Sequence, residues 1–176
     1  FTIICYSQKI EICDCFFEFS SISISSGEIA SSHTYLLRNC IFNKSNSNSA
    51  IHHSQTLGTI NLLSIEYCIF EDCLGQNVSC LYFTFLGDFN FEFKNSVIQY
   101  TNEIICDKYL YSFYFINKSS LTIENVSFIN ITNTGLYGCA CITGINQIIF
   151  DKCIFKGNTA LQTQNGENIQ NLNNKA

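Results

Sequence analysis

Leu63-Ser64-Ile65-Glu66-Tyr67-Cys68-Ile69-Phe70 carries the decisive signal in eight residues. Leu63 and Ile65 alternate with Ser64 and Glu66, the period-2 mark of a short strand with one buried face. Glu66 and Tyr67 then form an interruption, after which Cys68 and Phe70 resume the alternation. A strand, a two-residue bend and a second strand make one corner of a solenoid coil.

The same arrangement recurs along the chain as Ile10-x-Ile12-x-x-Cys15-x-Phe17, Tyr35-x-Leu37-x-x-Cys40-x-Phe42, Phe91-x-Phe93-x-x-Ser96-x-Ile98, Leu121-x-Ile123-x-x-Val126-x-Phe128 and Ile148-x-Phe150-x-x-Cys153-x-Phe155. With the opening stretch this gives six units, and their second positions are spaced by 25, 28, 28, 30 and 27 residues. Fixed-period self-similarity of this length is the signature of a repeat architecture. The intervening pairs are Cys13-Asp14, Arg38-Asn39, Glu66-Tyr67, Lys94-Asn95, Glu124-Asn125 and Asp151-Lys152. Asn recurs at the second place, where a sharp corner needs a residue tolerant of left-handed backbone angles.

These features predict an all-β, single-stranded parallel β-helix of about six coils over residues 1–161. A third strand per coil is expected near Ile22 to Ile24, Ala50 to His52, Leu81 to Phe85, Phe113 to Phe115 and Cys139 to Cys141. Residues 162–176, rich in Asn and Gln without periodicity, read as a disordered polar tail. The end strands of so short a stack have unpaired edges, so the chain is expected to be a piece of a longer solenoid. A leucine-rich repeat solenoid is the alternative, because Ile60, Leu63, Ile65, Cys68 and Phe70 fit its consensus. That fold needs a helical second half, whereas Cys80 to Phe85 and Tyr109 to Ile116 are aromatic-rich and strand-like.

Composition agrees. The chain is 47% hydrophobic and 13% charged, with 16 Phe, 9 Tyr and no Pro, Met or Trp, which suits a packed β domain rather than a disordered or helical one. A net charge of −5, with nine scattered Lys and Arg, excludes the basic stripe a nucleic-acid partner requires. No apolar run reaches the length of a membrane-spanning helix, and Phe1 to Tyr6 lacks the features of a signal peptide.

Asn39-Cys40-Ile41-Phe42, Cys68-Ile69-Phe70-Glu71-Asp72-Cys73 and Cys153-Ile154-Phe155-Lys156-Gly157-Asn158 resemble the repeats of pectin-lyase-like right-handed β-helices. They are most similar to the non-enzymatic surface type found in polymorphic membrane proteins. The resemblance covers about Gln8 to Leu161 and lacks the Gly-Gly-Ala-Ile half of that motif, of which Gly138-Cys139-Ala140 is a faint trace. It implies a right-handed coil and an extracellular or cell-surface setting.

Many pectin-lyase-like proteins are polysaccharide lyases or glycoside hydrolases that use clustered carboxylates, often with Ca²⁺ or a basic residue. Here Asp14, Asp72, Asp88, Asp107 and Asp151 include no Asp-Asp pair, the Asn-Thr-Asp and Gly-His-Gly motifs are absent, and Arg38 is the only arginine. A polysaccharide-active enzyme is therefore the alternative reading, resting on fold analogy.

Of the eleven Cys, four (Cys15, Cys40, Cys68 and Cys153) share one inward repeat position with Ser96 and Val126, which cannot bridge. They read as small buried hydrophobes, although Cys15/Cys40 or Cys40/Cys68, one rung apart, lie within reach of oxidation. Neither Cys13/Cys15 nor Cys139/Cys141 has zinc-binding spacing, and His52-His53 would face opposite sides of a strand, so no metal or other cofactor is expected.

Binding is the better-supported function. The residue between the inward Cys and Phe gives an outward column, Phe16, Ile41, Ile69, Val97 and Ile154, broken by Ser127, and an exposed apolar stripe marks an interface unless a loop covers it. Tyr82 with Tyr114 is a second candidate, as an aromatic platform for sugar rings. Sequons at Asn43, Asn77, Asn117 and Asn130 are candidate glycosylation sites, while Asn125 sits at a tight corner. The chain is thus expected to be a non-catalytic scaffold or adhesin-like repeat domain. Its partner would be a protein or carbohydrate at a strand face, or a second copy. Far-ultraviolet circular dichroism should be β-dominated, and substantial helicity would favour the leucine-rich alternative.

Overall fold

The structure, a computed structural model, describes residues 2–5, 9–25, 32–45, 49–55, 59–74, 78–85, 89–101, 111–116, 120–133, 140–143, 147–160 and 169–171. All the regular elements among these residues are strands, and they form a parallel β-solenoid. The leucine-rich alternative fails on this point, since among the described residues the second half of each repeat holds strands and no helix.

Three sheets make the faces. Sheet B holds the first strand of each unit: Lys9–Cys13, Ser32–Arg38, Thr59–Glu66, Phe89–Lys94, Ser120–Glu124 and Gln147–Asp151. Sheet C holds the strands after the corner: Phe16–Glu18, Ile41–Asn43, Ile69–Glu71, Val97–Gln99, Ser127–Ile129 and Ile154–Lys156. Sheet A holds Thr2–Cys5, Ser21–Ser25, Ile51–Gln55, Val78–Phe85, Tyr111–Ile116, Ala140–Thr143 and Ile169–Asn171. The strands of sheet A lie where a third strand was expected, and Cys139 falls outside the described residues. Ile169–Asn171, within the tail read as disordered, pairs with Ala140–Thr143; the other residues of 162–176 are outside the description.

Every sheet C strand pairs in register with its equivalents, so that Phe16, Ile41, Ile69, Val97, Ser127 and Ile154 stand in one line. The inward positions fill the core. Tyr35, Leu37, Cys40, Phe42, Leu63, Ile65, Cys68, Phe70, Phe93, Ile98, Leu121, Ile123, Val126 and Phe128 are all fully buried. Rungs about 4.8 Å apart bring identical rings face to face: Phe17 stacks on Phe42 at 4.7 Å, Phe42 on Phe70 at 4.9 Å and Phe128 on Phe155 at 4.8 Å. Ile98 interrupts this ladder.

The corner between sheets B and C is a single residue in the left-handed region. Asp14, Asn39, Tyr67, Asn95, Asn125 and Lys152 have φ between 50° and 56°, as the Asn recurrence implied. Hydrogen bonds run through the corner without a gap. Asn39 N–H donates to Glu66 O of the next unit at 3.1 Å, and Ile41 N–H donates to Cys15 O of the preceding one at 2.9 Å. These bonds carry the ladder across the bend, which is what allows an abrupt turn inside a continuous stack. Side chains reinforce the column, Asn39 Nδ2 donating to Asp14 Oδ1 at 3.1 Å and Asn125 Nδ2 to Asn95 Oδ1 at 2.8 Å.

A second left-handed corner closes the other end of sheet C. It is formed by Phe19, Lys44, Asp72, Tyr100, Asn130 and Gly157, with φ between 50° and 67°. Gly157 suits this place by its φ of 67°, and a Cβ there would meet Asn130 Oδ1, so that side chain would have to swing aside. Asn, Asp and Gly hold this conformation at little cost, whereas a large side chain costs about 1–2 kcal/mol. Tyr67→Asn should therefore raise unfolding stability by about 0.5–1 kcal/mol in urea titration, since Asn39 and Asn95 flank the position with the same side chain. A loss of stability would show that the Tyr67 ring packs usefully in the isolated chain.

Candidate binding face

The outward side of sheet C combines the predicted stripe with residues from both of its corners. Phe16 is 61% exposed, Ile41 37% and Ile154 54%, while Ile69 and Val97 are half-buried. Tyr67 at the first corner and Phe19 and Tyr100 at the second are also exposed. Among the described residues, the other large exposed hydrophobics are Ile149 and Phe150 on the last strand of sheet B. Six of the eight exposed large hydrophobics among the described residues thus lie on sheet C or its two corners. Beside the stripe runs a polar column, Glu18, Asn43, Glu71, Gln99, Ile129 and Lys156, aligned by the same register. Within it Gln99 Nε2 donates to Glu71 Oε1 at 3.0 Å.

The three aromatic corner residues were not picked out from sequence. Tyr67 was read only as part of the first corner, and for Phe19 and Tyr100 a signal was present, because the second corner always falls two residues after the inward aromatic or Ile, as in Phe70-x-Asp72 and Phe155-x-Gly157. Its residue types vary too much for a consensus to emerge. Lys44 Nζ sits 5.7 Å over the Phe19 ring, so that ring already meets a cation within the chain.

Tyr82 lies on the outward side of sheet A, half-buried, its ring stacked on His52 at 5.1 Å. One face of the ring is thus occupied by a neighbour, leaving less of it for a sugar. Tyr114 is the register partner of Tyr82 on the next strand, and its side chain is outside the described residues. Burial lowers the His52 pKa, keeping the imidazole neutral. His53 aligns with Ile24 and Phe83, opposite in parity to His52.

The charged column at the end of sheet B reads Arg38, Glu66, Lys94, Glu124 and Asp151 in register. Arg38 Nε lies 3.4 Å from Glu66 Oε2 and Lys94 Nζ 3.1 Å from Glu92 Oε2. The bond to Glu92 raises the Lys94 pKa, with Glu124 and Glu66 adding to it. Glu66 and Glu92 are answered by cations, whereas Glu124 and Asp151 stand one rung apart as two carboxylates, Asp151 with Lys152 Nζ at 3.5 Å.

Among the described residues, Cys13, Cys15, Cys40, Cys68, Cys73, Cys80 and Cys153 are free thiols, and no three His, Cys, Asp or Glu side chains converge on a point that could hold a metal ion. Cys40 Sγ lies 3.2 Å from Arg38 O and Cys68 Sγ 3.3 Å from Glu66 O, each thiol reaching back over its own corner. Ser96 Oγ makes the same bond to Lys94 O at 2.7 Å. The thiol contact between Cys68 and Cys40 draws Cys40 down to about 7 and, with burial, pushes Cys68 up. Each sulfur also meets a carbonyl of the preceding unit, Cys40 Sγ lying 3.6 Å from Ile12 O and Cys68 Sγ 3.8 Å from Leu37 O, so the column serves the corner. Cys40→Ala should then destabilise at the low end of about 1–3 kcal/mol, and Cys40→Ser by less because it keeps the corner bond as Ser96 does. Equal losses in chemical denaturation would remove that bond from the account.

Of the sequons, Asn43 is half-buried in the polar column and Asn130 is exposed at the second corner with its amide over Gly157. Asn77 and Asn117 lie outside the described residues. Within the description no helix is long and apolar enough to cross a membrane. No protein-family model matches the chain, and neither a curated protein nor a solved structure matches it.

Proposed function

We propose that the protein is a non-catalytic β-solenoid scaffold, an adhesin-like repeat domain of a surface or secreted protein, that docks a partner through the outward face of sheet C. The observation that carries this reading is the gathering of Phe16, Phe19, Ile41, Tyr67, Tyr100 and Ile154 on that one face. Contiguous exposed apolar surface of this kind is what interaction sites show on otherwise polar proteins. The resemblance of the Cys-x-Phe units to non-enzymatic pectin-lyase-like repeats supports the surface setting and the right-handed coil.

Strained aromatics strengthen the case. Tyr67, Tyr100 and Phe19 hold left-handed conformations that Asn or Gly would adopt more cheaply, and they remain half or more exposed. Their cost brings little return in the free chain, and burial against a partner would repay it.

Replacing both Ile41 and Ile69 with Lys tests the reading. The circular dichroism spectrum and thermal midpoint should be unchanged, while self-association or partner capture is lost in analytical ultracentrifugation and pull-down. Burying each Ile contributes roughly 1.5–3 kcal/mol, and a desolvated ammonium in its place is unfavourable. Unfolding, or association that survives both substitutions, would overturn it. A soluble uronate polymer should stay uncleaved with and without Ca²⁺; cleavage would point to the enzymatic alternative.

A further inference from the structure

Resting on the reading of sheet C as a docking face, we infer that its occupant is a second copy of the chain, related by a two-fold axis that runs parallel to the sheet C strands. Such an axis reverses the order of the repeats and keeps each outward column facing itself. The first repeat of one copy then meets the sixth of the other.

The residues in register fit this arrangement column by column. In the apolar column Phe16 faces Ile154 and Ile69 faces Val97, with Ile41 opposite Ser127. In the neighbouring column Glu18 faces Lys156 and Glu71 faces Gln99, whose amide already donates to Glu71 within one chain, while Asn43 meets Ile129 as the one mismatched pair of that column. At the first corner Asp14 lies opposite Lys152. At the second, Phe19 lies opposite Gly157, which presents no side chain to obstruct the ring, and Asp72 lies opposite Tyr100, whose hydroxyl is a donor for a carboxylate.

The other face-to-face two-fold, along the solenoid axis, sets Phe16, Ile41, Ile69 and Val97 against Glu18, Asn43, Glu71 and Gln99. Apolar side chains would then cover charged and amide groups, which is unfavourable. Only the axis along the strands pairs opposite charges at both ends of the stack. Isologous contacts of this type close on themselves and produce a dimer rather than a filament.

Size is consistent with this. Six strands spaced about 4.8 Å apart, each of three residues with a corner at either end, give a face of about 29 by 16 Å. Two such faces bury on the order of 1,000 Å², the lower end of a specific interface. Packed sheets keep their strand directions within about 30°, which this two-fold satisfies.

Glu18 and Lys156 are exposed and lie five strands apart in sheet C, too far to pair within one chain. Sedimentation of the unmodified chain should show a monomer–dimer equilibrium. E18K and K156E should each stay folded by circular dichroism and dimerise about tenfold more weakly, because like charges then meet at both ends. Mixed in equal amounts, the two variants should recover dimerisation, since each supplies the charge the other lacks, and the doubly substituted E18K/K156E chain should recover it alone. A chain that stays monomeric at millimolar concentration overturns the proposal while leaving the Ile41 and Ile69 experiment to judge the face itself. A dimer indifferent to the single reversals, or reversals that neither mixture nor double substitution rescues, also overturns it.

Discussion

Parallel in-register stacking, which sets each side chain about 4.8 Å from its equivalent in the next repeat, is the constraint on which the rest of the structure depends. A residue in this fold is judged first by whether it tolerates a copy of itself above and below. Phe rings do so by lying flat on one another, Phe17 on Phe42 and Phe42 on Phe70 being nearly parallel at 8° and 2°. Amides do so by donating along the column, as Asn125 does to Asn95. Charges do so less readily, and Arg38, Glu66, Lys94 and Glu124 alternate in sign where they line up before Asp151 follows Glu124.

Stacking also explains the corners. A chain that must return to the same position every 25 to 30 residues needs bends that consume no hydrogen-bonding capacity. The left-handed residue supplies this by donating forward to the next unit while its neighbour beyond the bend donates backward. The inward Cys or Ser adds a bond to the carbonyl two residues earlier. Small polarizable thiols suit this place because they fill the corner and satisfy a carbonyl together; Ser96 keeps the bond and Val126 keeps only the filling, so the position has no requirement for pairing.

This logic fixes how much could be read from the chain itself. The first corner was legible because its strand flanks alternate strictly and Asn marks its left-handed residue in Asn39, Asn95 and Asn125. The stripe Phe16, Ile41, Ile69, Val97 and Ile154 followed from parity alone. The second corner was not legible as a separate bend, since Phe19, Lys44, Asp72, Tyr100, Asn130 and Gly157 share a backbone angle and little else. Tyr67, Tyr100 and Phe19 could not be recognised as part of the face, because their exposure follows from a left-handed backbone that aromatic residues seldom adopt. Tyr82 was correctly placed beside Tyr114 in register, but its stacking on His52 depends on ring orientation, which parity does not give.

A repeat fold leaves few ways for function to show itself, since the columns that build the stack are chosen for self-compatibility. Function is therefore most visible where a column departs from its own rule at a cost. Ile98 departs from the Phe ladder without exposure, and core packing accounts for it. Tyr67 departs from the Asn ladder with a left-handed backbone and with 57% of its surface in water. Departures of the second kind collect around sheet C, whereas at the charged end of sheet B Arg38 answers Glu66 and Lys94 answers Glu92. A uniform stack would bind anything flat and repetitive. This stack has Phe19 and Asp14 at one end, Gly157 and Lys152 at the other, and a tyrosine on each side of the middle, so the face has a direction, and directionality is what converts a repetitive surface into one that selects its partner.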